Sequence, residues 1–83
     1  MEDIKQTIKN YILQEFLPGE DPANFTDDLQ LIRTGILDSL ARLRLVAFLE
    51  EHFKIEIAAH EASTANLNTL DSIVALVKSK QQG

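Results

Sequence analysis

The chain has 83 residues and no cysteine. Disulfides, thiolate nucleophiles and cysteine zinc sites are therefore excluded. No long apolar run is present either: the longest in the last segment is Ile73 to Val77, far short of the ~20 residues that cross a bilayer. The opening stretch "MEDIKQTIKN" is charged where a secretory signal would be apolar. No membrane contact is expected, and a cytoplasmic location is. An excess of positive charge is also missing. The formal net charge is −5, which argues against nucleic acid, whose phosphates are met by Lys and Arg. The only histidines, His52 and His60, form no HExxH or other zinc spacing, so no metal site is expected. Asp27 and Asp28 lack the spacing of a calcium loop. The G-x-S-x-G elbow of a serine hydrolase does not occur.

What remains fits one small domain, residues 1–83, with a modest core. A chain of this size has little room for a deep pocket, so it is not expected to be an enzyme. Its acidity is uneven. Residues 1–28 hold seven acids against two bases, while the rest holds six of each. Such a surface suits basic patches on protein partners.

Periodicity predicts helices. Ile4, Ile8, Ile12 and Phe16, joined by Tyr11, mark a first helix over 3–17, stopped by Pro18-Gly19. "GEDPANFTDD" reads as loop. Phe25, Leu29, Leu31 and Ile32 follow without a clean period and are expected to pin that loop onto the core. The strongest helix covers 39–53. Leu40, Leu43, Val46, Ala47, Leu49 and Phe53 are assigned to its buried face, widened by Leu45 and Phe48. "KIEI" (54–57) reads as a linker with buried Ile55 and Ile57. A short helix is predicted over 59–66. A last one covers about 70–80, capped by Asn68 or Thr69, with Lys78 and Lys80 near its C-terminus. The expected fold is all-α: a small four-helix bundle, three main helices and one short, with a long first loop.

The tripeptide Leu-Asp-Ser occurs twice, at 37–39 and at 70–72. Serine is favoured at helix starts, so each copy has a plain reading as a cap. Their frames differ. Ser39 follows Gly35 and a long loop, and opens the longest helix. Ser72 falls inside the first turn of a terminal helix that Leu67 and Leu70 tie to the core. Ser39 is the candidate site, and a phosphate on it would meet the positive end of the helix.

The run "TGILDSLARLRLVAFLEEHFKIEI" resembles the phosphopantetheine attachment region of acyl carrier proteins. Gly35, Asp38, Ser39, Leu40, Val46, Leu49, Glu50, Phe53, Glu56 and Ile57 fit that family's pattern. "TDDLQLIRTGI" resembles its loop into the helix, and "NLNTLDSIVALV" its last helix. The resemblance implies 4'-phosphopantetheine, drawn from coenzyme A, on Ser39, with acyl groups held on its thiol as thioesters. Asp38 and Leu40 would be the neighbouring cofactor-site residues. It implies a phosphopantetheinyl transferase and acyl-loading and acyl-transferring enzymes as partners, and a monomeric carrier that catalyses no step itself.

The chain departs from the fatty-acid carriers of that family at "ARLRL". Arg42 and Arg44 stand where polar or acidic residues are common, so the expected partner-recognition residues are Arg42, Arg44, Glu50 and Glu51. Arg42, one turn past Ser39, shares its helix face and is expected near the phosphate. Arg44 is expected to pair with Glu51 or rest on the rim of Phe48. Phe48, read as core-facing, would narrow any internal cargo cavity, which implies a small or polar cargo. These departures point to a carrier in polyketide or other specialised biosynthesis. A peptidyl or aminoacyl carrier is the alternative within the class, and a cofactor-free helical interaction module outside it.

Overall fold

A computed structural model describes residues 3–82, and among them there is helix and loop but no strand. The first helix, α1, spans Ile4–Phe16. Asp3 caps it by accepting from the Gln6 N–H at 3.2 Å, as a carboxylate at a helix start should. The second, α2, spans Ser39–Phe53. A short turn of helix, α3, covers Thr64–Leu67, and α4 covers Leu70–Gln82. Single 3₁₀ turns lie at Pro22–Asn24 and Ala59–Glu61. α1 and α3 pack on α4, and α2 touches both α1 and α4. The result is the expected small all-α bundle with a long first loop.

The core is apolar throughout: among the described residues, no polar or charged side chain is buried. Ile8 and Ile12 of α1 meet Leu70, Ile73 and Val77 of α4, all fully buried. The long loop contributes as expected. Phe25 and Leu31 are buried, and Leu29 and Ile32 pack partly against the same cluster. Lys5 of α1 pairs with Asp27 of the loop, and that hydrogen bond raises the pKa of Lys5 above its ordinary value.

Three sequence expectations need correction. The buried face of α2 is Ala41, Leu45, Leu49 and Phe53, a strict four-residue stripe. Leu40 and Leu43, assigned to that face, are 60% and 69% exposed, and Ala47 is exposed too. Apolar residues lie on nearly every side of α2, so periodicity could not select a face. Packing against α1 and α4 selected it. The predicted helix over 59–66 is broken into the 3₁₀ turn and α3, because Ser63 takes an extended conformation (φ −88°, ψ 166°) between them. Of the linker isoleucines, Ile57 is buried and Ile55 only half-buried.

Two carboxylates hold that linker. Glu50 accepts from the Ile57 N–H and Glu61 from the Ala58 N–H, both at 2.9 Å. Glu61 also pairs with Lys80 of α4. The Lys80 hydrogen bond, seconded by the Ala58 N–H, holds the Glu61 carboxyl below its usual pKa. A depressed acid adds stability above its unfolded pKa of about 4.3 and loses it as pH falls through the folded value. We expect Glu61→Gln to melt below wild type at neutral pH and the gap to close in acid. Thermal melts of both proteins from pH 7 to pH 3 check this, and a pH-independent gap would refute it.

Candidate functional site

The start of α2 is built by the loop before it. The Leu31 N–H donates to the Asn68 carbonyl at 2.6 Å, and the Leu37 N–H to the Leu31 carbonyl at 2.9 Å. Leu31 and Leu37 are both buried, so the loop is stapled to the core at each end of a tight turn. Gly35 closes that turn at φ +84°, a left-handed conformation that costs an L side chain about 1–2 kcal/mol. A Cβ there would meet nothing within 4 Å, so its backbone angle is the reason for glycine.

Two residues past the staple, the chain enters the helix. Asp38 is the N-cap (φ −80°, ψ −173°), and its carboxylate accepts from the Ala41 N–H at 2.8 Å. The Arg42 N–H then donates to the Asp38 carbonyl at 2.9 Å and begins the helical ladder. Ser39 is the first helical residue and is exposed. The cap bond is thus made by Asp38, and Ser39 is left exposed at the head of the helix. Replacing Asp38 with Ala should cost about 1 kcal/mol through loss of the cap. A denaturant titration would show it, and an unchanged midpoint would count against this account of the helix start.

Ser72 is the contrasting case. Thr69 caps α4, accepting from the Ser72 N–H at 3.2 Å and donating to the Ser72 Oγ at 2.9 Å. Ser72 is half-buried. Of the two expected caps, Thr69 is the one used. Asn68 does something the sequence reading missed: its Oδ1 accepts from the Ile32 and Arg33 N–H groups at 3.0 and 3.3 Å. It clamps the long loop that presents Ser39. Nothing local signals this, since the bonded groups lie 36 and 35 residues away.

Two clefts flank Ser39. One, on the α1 side, is lined by Glu15, Phe16, Ile36, Asp38, Leu40 and Arg44 among others and has a volume of about 260 Å³. The other, on the α3 side, is a groove of about 320 Å³ lined by Ser39, Arg42, Leu43, Val46, Ala59 and Ala62. Arg42 is half-buried and lines this groove together with Ser39. Leu40 stands exposed beside them.

The remaining candidates separate. Arg44 is exposed and lines the α1-side cleft together with Glu15. Its expected pairing with Glu51 is not made among the described residues, because residue 51 lies two helical turns further on. Glu51 is exposed, whereas Glu50 is half-buried and engaged with the linker. Phe48 does not fill the centre of the core. It is half-buried in the α1–α2 seam, stacked on Tyr11 at 3.9 Å between ring centroids and on His52 at 5.1 Å. Tyr11 donates from its hydroxyl to the Arg44 carbonyl at 3.3 Å, and partial burial pushes its phenol up. The ring of Phe48 therefore narrows no interior cavity, and the cargo argument built on it lapses. No group of three or more His, Asp or Glu among the described residues could hold a metal ion. Among the described residues, no helix is long and apolar enough to cross a membrane.

The pattern described as "Phosphopantetheine attachment site" matches residues 8–77, a span with Ser39 near its middle. The chain is 38% identical to D-alanyl carrier protein 2 of Lactiplantibacillus plantarum, over 98% of each chain. It is 33% identical to the D-alanyl carrier protein of Streptococcus suis, over 88% of this chain and 89% of the relative. It is 35% identical to the probable acyl carrier protein PigG of a Serratia species, over 90% and 85% respectively.

Proposed function

The chain belongs to the phosphopantetheine-attachment family of carrier proteins, and from that premise we propose that Ser39 is the residue that bears the prosthetic group. That the group is 4'-phosphopantetheine follows from the family. Bound, it supplies a thiol on which a cargo is held as a thioester, which is how a chain without cysteine presents sulfur.

One observation carries the choice of serine. The cap bond at α2 is made by Asp38, so the exposed Ser39 hydroxyl is open to a second protein's active site. The Ser72 hydroxyl is bonded to Thr69 and half-buried. The surroundings of Ser39 also fit the group. The first N–H groups of a helix favour a phosphate, Arg42 adds a cation, and the exposed Leu40 and Leu43 leave room for an approaching enzyme.

In this reading the protein is a carrier that catalyses no step. A phosphopantetheinyl transferase installs the arm, and loading and transferring enzymes use it. Leu40, Arg42, Arg44 and Glu51 are the side chains they meet, while Glu50 serves mainly the linker. The cargo we favour is a small aminoacyl or acyl group. The names of the D-alanyl relatives support the aminoacyl side over polyketide assembly, and the name of PigG supports an acyl cargo.

The test is direct. The protein is incubated with coenzyme A, magnesium and a broad-specificity phosphopantetheinyl transferase, then weighed intact. We expect a gain of one phosphopantetheine per chain, located by peptide mapping at Ser39. No gain would leave a cofactor-free helical interaction module as the better reading.

A further inference from the structure

A phosphodiester on Ser39 would sit between two clefts of opposite character. On the α1 side, Glu15 and Asp38 bring two carboxylates, and Arg44 is the single cation there. On the α3 side, Arg42 is the only charged residue, and Leu43, Val46, Ala59 and Ala62 form an apolar floor. Arg42 makes no ion pair among the described residues. It is half-buried and lines the groove. Long cationic side chains take this posture when the stem covers apolar surface and the head stays wet.

The arm itself has two parts with opposite needs. Its phosphodiester is an anion, and the adjoining pantoyl unit carries two methyl groups on a quaternary carbon. The α1 side repels the first with the carboxylates of Glu15 and Asp38 and mixes those charged side chains with its apolar Phe16, Ile36 and Leu40. The α3 side attracts the first with Arg42 and accepts the second on methyl-lined walls. Both terms point the same way. A volume of about 320 Å³ lies at the low end for sites that enclose a drug-sized ligand, so the groove seats part of the arm and leaves the thiol end free.

We propose that Arg42 is a positioning residue. It holds the phosphodiester on Ser39 and lays the pantoyl unit into the groove formed by Leu43, Val46, Ala59 and Ala62. This rests on Ser39 being the attachment site. Such seating biases the arm to one side of α2 and gives a loading enzyme a preferred approach. An exposed ion pair of this kind is weak, so the arm remains releasable, and salt weakens the hold further.

The experiment uses holo protein whose attachment has been confirmed by intact mass. Nuclear Overhauser contacts are measured between the pantoyl methyls and the protein, together with amide shifts from apo to holo. We expect contacts to Leu43, Val46 and Ala62. They should fall by more than half in Arg42→Gln or in 1 M salt, and survive in Arg44→Gln. Ala59→Gln, at an exposed position, should fill the groove and abolish the methyl contacts. Contacts to Phe16 and Ile36 instead, or none at all, would overturn the proposal, as would an Arg42→Gln holo protein indistinguishable from wild type. In those cases the mass gain still stands and the carrier reading survives. Failure to gain mass would overturn both.

Discussion

Ser39→Ala should abolish attachment of phosphopantetheine outright while leaving the fold intact. Intact mass after incubation with coenzyme A and the transferase should show no increase. The melting curve should stay within about 0.5 kcal/mol of wild type, as exposed substitutions usually do. The basis is the division of labour at the start of α2. Asp38 makes the cap bond to Ala41, so removing the Ser39 hydroxyl removes no structural bond. Ser72→Ala should behave in the opposite way. It should gain mass like wild type but lose the hydrogen bond with Thr69, at a cost of about 0.5–1.5 kcal/mol. A protein that is modified after Ser39→Ala, or not after Ser72→Ala, would show the wrong serine has been chosen.

The second large effect is expected at Asn68. Its side-chain oxygen accepts two backbone N–H groups of the long loop, and its own carbonyl accepts a third from Leu31. Asn68→Ala keeps the last bond and leaves the Ile32 and Arg33 N–H groups without their acceptor. Ile32 is half-buried, so water replaces the lost partner poorly. The expected loss is about 1–3 kcal/mol. The effect should be local first. Hydrogen exchange at Ile32 and Arg33 should quicken more than exchange in α1 or α4, because the loop can open without the bundle. Asn68→Asp retains the acceptor oxygens and should recover most of the protection. If Asn68→Ala melts like wild type, or if Asn68→Asp is equally damaged, the clamp is not what holds this loop. Attachment at Ser39 should also slow in Asn68→Ala, since the loop that aims the helix start would be loosened.

Much of the fold was legible because its signals are local. The Ile4–Ile8–Ile12 spacing marks α1, the Pro18-Gly19 pair marks its end, and polar residues mark the starts of α1, α2 and α4. Each depends on neighbours within a turn or two. The identity of the candidate site was legible for the same reason: Gly35, Asp38, Ser39 and the helix after them are contiguous. The faces were harder. α2 is apolar on almost every side, so Leu40 and Leu43 looked like core and are its exposed large apolar residues. Phe48 looked like core for the same reason and lies in a seam with Tyr11 and His52.

The sequence alone determined a small acidic helical chain with one serine at the head of its longest helix and no thiol of its own, and its resemblance to acyl carrier proteins supplied the carrier reading. The acidity, the helices and the missing thiol follow from composition and from patterns a few residues long. Only the tertiary structure decided which cap frees that serine, that Gly35 serves a backbone angle, and that Asn68 holds the presenting loop. It alone set Arg42 in an apolar groove with Ser39 and Arg44 in the cleft with Glu15. The physical reason is range. Capping and periodicity act along the chain, whereas the facing of α2 and the grip of Asn68 depend on groups tens of residues apart that meet only once the bundle has closed.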